Sequence, residues 1–253
     1  MDIQRMICAG FDSLTPARLT FLHKAFHTLP PLDRPRILDL GCGRGGPTLE
    51  LARLSGGEII AIDTDAEALD ALAASAASAG LADRIHIRKH SMDALDFAQD
   101  SFDIIWAEAS IHAIGFEEGL RDWRRMLKPD GFLVIHEMAW LRPDPPAEIA
   151  AYWMRYFPGI RTVDEYTSAI RRGGYRLLDA FALPKDFWWQ NFFHPLELRL
   201  QALNSDFQGN DEALAALRPH QREVDLCRQY PDWYGSAYLV MQKDRGSGKE
   251  EGT

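Results

Sequence analysis

The sequence predicts an α/β fold in which a mostly parallel sheet is covered by helices on both faces. Two observations carry that expectation. Short apolar runs alternate with helical patterns from Arg36 to Met138, which is how βα units stack into a parallel sheet buried on both sides. The first run ends in a glycine-rich turn that leads directly into a helix. The 253 residues, 46% of them hydrophobic, are enough for one full core.

Leu14, Leu19, Leu22 and Phe26 are spaced three to five residues apart, so Ser13 to Leu29 reads as an amphipathic helix closed by Pro30, Pro31 and Pro35. Arg36-Ile-Leu-Asp-Leu-Gly-Cys-Gly43 reads as strand and tight turn, and Pro47 to Leu54 as a helix with proline in its first turn. Glu58-Ile-Ile-Ala-Ile-Asp63 is a second buried strand. Thr64 and Glu67 are spaced as a capping box for an alanine-rich helix that stops at Gly80. Ile85 to Arg88, Phe102 to Ala107 and Gly131 to Met138 give strands three to five, with a helix at Glu117 to Leu127 before the last. After Trp140 the rhythm changes. A proline-rich link, Pro143 to Pro146, precedes an aromatic helical region with Tyr152, Trp153, Tyr156 and Phe157. A helix at Asp164 to Arg172 and strands at Arg176 to Leu183 and Ser236 to Gln242 follow, and the long insert Pro184 to Trp233 reads as a cover over a site or an interface. From Asp244 the glycine- and charge-rich tail reads as disordered.

Charge and composition narrow the partners. A net charge of -9 is a poor footprint for a nucleic-acid backbone. No stretch approaches the roughly 20 apolar residues that span a bilayer, and Met1 to Gly10 has no leader pattern, so the expectation is a cytoplasmic protein. Cys8, Cys42 and Cys227 form neither a disulfide framework nor a zinc pattern, and no metal is expected.

Gly41, Gly43 and Gly46 satisfy G-x-G-x-x-G, with Asp63 about twenty residues on, which also fits a dinucleotide site. Asp39 separates the alternatives. Two positions before the first glycine, it would repel a pyrophosphate and attract an ammonium or sulfonium. S-adenosylmethionine has both cations and no phosphate, and Asp63 is placed to accept its ribose hydroxyls.

At these residues the sequence resembles the class I S-adenosylmethionine-dependent methyltransferases. Asp39-Leu-Gly-Cys-Gly-Arg-Gly45 resembles their first motif, and Ala61-Ile-Asp63 the acidic end of their second strand. Ser91-Met-Asp-Ala-Leu-Asp-Phe97 with Ser101-Phe-Asp-Ile-Ile105 is similar to the adenine-seating segment, and Leu127-Lys-Pro-Asp-Gly-Phe132 to the turn before strand five. Where the family often has an aspartate, Ser91 stands, which moves adenine contact toward Met92 or Asp93. The stretch Trp106 to Phe116 and the aromatic segments after it resemble a group of bacterial small-molecule methyltransferases.

The resemblance implies a Rossmann-like seven-stranded, mostly parallel sheet with an added helical cap, in one domain over residues 1–253. Its parts are an N-terminal helical segment (1–35), a cofactor-binding core (36–140), a C-terminal half with the substrate cap (141–243) and the tail (244–253). The cofactor implied is S-adenosylmethionine, held by Asp39, Gly41, Cys42, Gly43, Asp63, Thr64, Ser91, Met92, Asp93 and Glu108. The candidate catalytic residues are His112, beyond strand four, and Glu137, at the end of strand five. Alternation sends only one of His136 and Glu137 into the crevice, and Glu137 is favoured, with His136 packing under a helix. An acceptor pocket is expected among Trp140, Tyr152, Trp188, Trp189 and His194, since such pockets are mostly apolar and aromatic. Two other readings stay open: an NAD-dependent oxidoreductase, and a non-catalytic regulator on the same scaffold. A homodimer is open too.

Overall fold

The computed structural model describes residues 3–8 and 15–245. A short helix α1 (Ile3–Cys8) and helix α2 (Pro16–His27) precede the sheet. The α2 helix starts at Thr15, whose hydroxyl accepts the Arg18 N–H. Then β1 (Arg36–Leu40), α3 (Gly46–Ser55), β2 (Glu58–Asp63), α4 (Ala66–Ser78), β3 (Ile85–Lys89), β4 (Phe102–Glu108), α5 (Phe116–Arg124) and β5 (Leu127–Trp140) alternate as expected. The C-terminal half adds α6 (Ala147–Tyr156), β6 (Arg161–Thr162), α7 (Val163–Arg172), β7 (Tyr175–Ala182), α8 (His194–Asp206), α9 (Asp211–Gln229) and β8 (Tyr234–Lys243).

Three local expectations are corrected. The cap of α4 is Asp65, whose carboxylate accepts the Glu67 and Ala68 N–H groups, while Thr64 is exposed. Asp65 is the last extended residue, so its short side chain reaches the first free donors of the helix. The helix expected to reach Leu127 ends at Arg124, and Leu127 opens β5, which absorbs the Pro129-Asp130-Gly131 turn with Asp130 at φ 63°. The two-residue β6 has no counterpart in the sequence-based expectation.

The strand order is β3-β2-β1-β4-β5-β8-β7, with β6 paired to β5. Neighbours from β3 to β5 run parallel, and β8 lies antiparallel between β5 and β7. The order reverses direction between β1 and β4. At such a switch point the connections leave on opposite faces and open a crevice at the carboxyl ends of the strands. The central strands are apolar throughout because both faces are covered: Ile37, Leu38 and Leu40 are buried, as are Ile104, Ile105 and Trp106.

One face packs against α5 and α7 through Leu120, Trp123, Tyr166 and Ile170, the other against α2, α3 and α4 through Leu22, Leu51 and Leu72. A third apolar cluster lies beyond the sheet, where Trp140, Trp153, Phe193, Leu200 and Val224 join α6, α8 and α9, with Ile7 of α1 packed among them. A π-helical turn, Trp189–Phe193, leads into α8. Of the expected tail, Asp244 and Arg245 are fixed to the sheet edge through Asp244 N–H to Gly174 O at 3.0 Å and an Arg245–Asp130 ion pair. The remainder, 246–253, lies outside the described residues.

Candidate functional site

The chain leaves β1 through Gly41 and Gly43, at φ +72° and +51°. A side chain at Gly41 would stand 2.5 Å from Ser110 Cβ, so only glycine lets the β4 loop approach this closely. A Cβ at Gly43 would meet nothing within 4 Å, so that face of the turn is open. The Gly41 and Cys42 amides both donate to Ile62 O, and Asp63 closes the turn from β2. Its Oδ2 accepts the Gly43 N–H at 2.8 Å and its Oδ1 the Asp65 N–H at 2.9 Å. Each oxygen keeps a second lone pair for a further donor.

Asp39 is buried behind the turn. Its Oδ2 accepts the Thr48 hydroxyl at 2.6 Å, and its Oδ1 is buried with no partner among the described residues. Burial pushes the carboxyl up to about 7, with the Thr48 bond opposing and the Glu108 and Asp63 charges adding to the rise. Cys42 is buried beside it, and burial, then the charges of Asp39 and Asp63, push its thiol far above the usual range. It is no nucleophile at neutral pH. The Met92 methyl stands over the Gly41 side of the turn, and the Trp123 indole donates to Met92 O at 3.5 Å. The Ser91 carbonyl contacts His90 Nδ1, and Asp93 is exposed.

Glu108 ends β4 at the centre of a polar network. Its Oε1 meets His136 Nδ1 at 2.9 Å and the Tyr238 hydroxyl at 2.8 Å, and its Oε2 accepts from the Trp106 indole at 3.0 Å. Burial raises this carboxyl, but the charge and hydrogen bond of His136, together with Arg18 and Trp106, hold it below the ordinary range. His136 continues the chain of bonds to Ser236 Oγ at 2.8 Å, which also accepts from the Trp188 indole. Its ring stacks on Tyr238 with centroids 4.3 Å apart.

His112 stands on a single 3₁₀ turn, Ile111–Ala113. Its Nδ1 lies 2.9 Å from Glu137 Oε2, and its ring packs edge-on against Phe157. Glu137 is buried, and its Oε1 accepts the Met138 N–H at 2.8 Å, so both oxygens are engaged. His112 and Glu137 line a cavity of about 220 Å³ between the sheet end and the cap, together with Trp153, Trp188 and Glu223. His136 lines it too, which corrects the expectation that it packs under a helix. The two neighbours do point to opposite faces of β5, toward Glu108 and toward His112, but the cavity lies beyond the strand end and meets both.

Of the expected acceptor residues, only Trp188 lines this cavity. Trp140 is a core residue of the cap, and Tyr152 is half-buried against Trp153 and Tyr156. Trp189 lines a second cavity of about 330 Å³ with Cys227 and Tyr234, which Trp188 also borders. His194 is exposed and stacks on Trp189. Four residues that shape the site had no place among the expected ones: Thr48, Ser110, Ser236 and Glu223. Glu223 alone left a local trace, since it sits four residues before Cys227 on the inward side of α9.

A family model described as a methyltransferase domain matches residues 37–131. A sterol 24-C-methyltransferase of Gibberella zeae is 29% identical over 123 residues, 48% of this chain and 32% of that protein. The chain thus spans about a third of the length of this curated relative. A solved S-adenosylmethionine-dependent methyltransferase from Geobacter sulfurreducens, in complex with S-adenosyl-L-homocysteine, superposes with a TM-score of 0.76 at 20% identity, covering 94% of this chain and 96% of that one. The [4+2]-cyclase SpnF superposes with a TM-score of 0.75 at 22% identity, covering 92% and 83%. The turn, its acids and these matches agree: residues 37–131 match a methyltransferase domain, and the chain shares the fold of the solved S-adenosylmethionine-dependent methyltransferase.

Proposed function

We propose that the protein binds S-adenosylmethionine in the crevice beyond β1 and β4 and transfers its methyl group to a small molecule seated in the cavity between the sheet and the cap. The observation that carries this reading is Asp39 Oδ1, a buried carboxylate oxygen with no partner beside an open glycine turn. A buried acceptor left unpaired costs stability, and an ammonium placed there completes it. A dinucleotide pyrophosphate would face the same carboxylate with like charge, which disfavours the nicotinamide alternative. Asp63, with two free lone pairs, suits a ribose diol, Gly43 leaves room for the ligand backbone, and Met92 borders the base.

When bound, the cofactor would supply a sulfonium-activated methyl carbon open to in-line attack by an acceptor lone pair, with the thioether of S-adenosylhomocysteine as the leaving group. The residues around it mainly hold the two reactants together, a contribution of about 7 to 11 kcal/mol when geometry is productive. Where the acceptor carries a proton, His112 is the base. Glu137 accepts from Nδ1, which fixes the tautomer and leaves Nε2 with its lone pair for the acceptor proton. Glu137 is its positioning partner. We place the reaction in the cytoplasm, where the buried thiols Cys42 and Cys227 stay reduced. Among the described residues no helix is long and apolar enough to cross a membrane.

One of the solved structures sharing this fold is named as a cyclase, so the test must read the reaction itself. Calorimetry should give micromolar or tighter binding of S-adenosylhomocysteine and none of NAD. Incubation with S-adenosylmethionine and a metabolite extract should yield species that gain one methyl group. Cofactor binding without any methylated product would overturn the enzyme reading in favour of a regulator.

A further inference from the structure

The cavity beside His112 has a charge pattern that selects its occupant. The rings of Trp153, Phe157, Trp188, Phe192 and Phe193 form its walls, and no lysine or arginine is among its described lining residues. An anionic acceptor would find only His112 and His136 there, and each already faces a carboxylate, Glu137 and Glu108. Two carboxylates reach the cavity, and their situations differ. Glu137 has both oxygens occupied by His112 and the Met138 amide. Glu223, from α9, has neither a hydrogen bond nor an ion pair among the described residues, and burial with nothing to oppose it pushes its carboxyl up to about 7. The Trp153 indole N–H on the same wall is also buried without a partner.

An unpaired carboxylate amid aromatic rings is the complement of a small organic cation. The ring faces carry negative potential that attracts an ammonium, and the attraction strengthens where water is excluded. The carboxylate gives the same cation a charge-assisted hydrogen bond. A neutral hydrocarbon would satisfy the rings but leave Glu223 without a partner. We propose that the acceptor is a small amine, recognised as its cation by Glu223 and the surrounding rings; the ammonium gives one proton to His112 Nε2, and the freed nitrogen lone pair forms the bond to the methyl carbon as its bond to sulfur breaks and S-adenosylhomocysteine leaves. The proposal rests on the methyl-transfer reading and narrows it to one class of acceptor.

The test compares three probes of one shape, phenethylamine, 2-phenylethanol and 3-phenylpropanoate, by calorimetry on the full chain saturated with S-adenosylhomocysteine. Phenethylamine is expected to bind saturably, at least tenfold tighter than the alcohol, with the carboxylate weakest. In Glu223→Gln the preference for amine over alcohol should fall to within twofold, while affinity for S-adenosylhomocysteine stays as in the wild type. Equal binding of amine and alcohol would overturn the proposal. So would an amine preference that survives Glu223→Gln, or an absence of binding by all three. The wild-type comparison needs no variant, so it stands even if Glu223→Gln fails to fold, and Glu223→Asp then reports on the charge. If S-adenosylhomocysteine itself fails to bind, the cofactor reading falls, and the same probes on the ligand-free protein still return their own answer about the cavity.

Discussion

In the proposed site, Asp39 would couple cofactor binding to a proton. With its carboxyl near 7, it is half protonated at neutral pH, and an ammonium against Oδ1 favours the charged form. Binding of S-adenosylhomocysteine at pH 7 is expected to release about half a proton, which calorimetry in buffers of different ionisation heat would read. The same group makes the ligand-free fold pH-sensitive. Its folded value lies above the ordinary 3.8, so the folded state holds the proton longer than the unfolded chain. Its contribution to stability is therefore full below 3.8 and is lost as pH rises toward 7. Asp39→Asn removes that loss while keeping an acceptor for Thr48. It should be more stable than the wild type at pH 8 by about 1 to 3 kcal/mol in urea unfolding, and should bind S-adenosylhomocysteine about ten- to a hundred-fold more weakly. His112→Gln should lower methyl transfer to a protonated acceptor by about a hundred- to ten-thousand-fold, with cofactor affinity unchanged. Glu137→Gln should lower kcat in the same assay and leave cofactor affinity intact, since among the described residues its carboxylate bonds only His112 and the Met138 amide.

The two glycines of the β1 turn make opposite demands on a new methyl group. Gly41→Ala places Cβ against Ser110 on top of the left-handed backbone cost, so thermal unfolding should show a clear loss of stability. Gly43→Ala bears only the backbone cost of about 1 to 2 kcal/mol, because its Cβ meets open space. If that space is where the cofactor lies, Gly43→Ala should fold yet bind S-adenosylhomocysteine poorly. Elements of this kind were legible in the sequence because their signals are local. A glycine turn after an apolar strand, an acid at the end of the next strand and proline in a first helical turn each announce themselves within a few residues. The cap was not legible in the same way. Glu223, Ser236 and His136 come from α9, β8 and β5, and meet only because α8 and α9 fold back over the sheet end. Even a local signal failed where two acceptors competed, as Thr64 lost the α4 cap to Asp65.

At the scale of the molecule, the parallel half of the sheet supplies the crevice proposed for the cofactor, and the cap walls the cavity proposed for the acceptor. Trp188 joins the antiparallel side of the sheet to the cap, since its indole bonds Ser236 of β8 while its ring borders the 220 and 330 Å³ cavities. Trp188→Ala should impair acceptor turnover with cofactor affinity nearly intact; a uniform loss of stability with normal turnover of the folded fraction would make Trp188 a packing residue instead. β8 has a longer reach than its place at the chain's end suggests. It fills the slot between β5 and β7 and carries both Ser236 and Tyr238, the partners of His136 and Glu108. On the ribosome it emerges after every other described strand. Until it does, β5 and β7 each present a bare edge of unpaired amides, the kind of surface that recruits other chains. The nascent protein can therefore shape its glycine turn early, but it cannot close the cavity beside His112 until translation has passed Lys243, and that interval is when it is most exposed to aggregation.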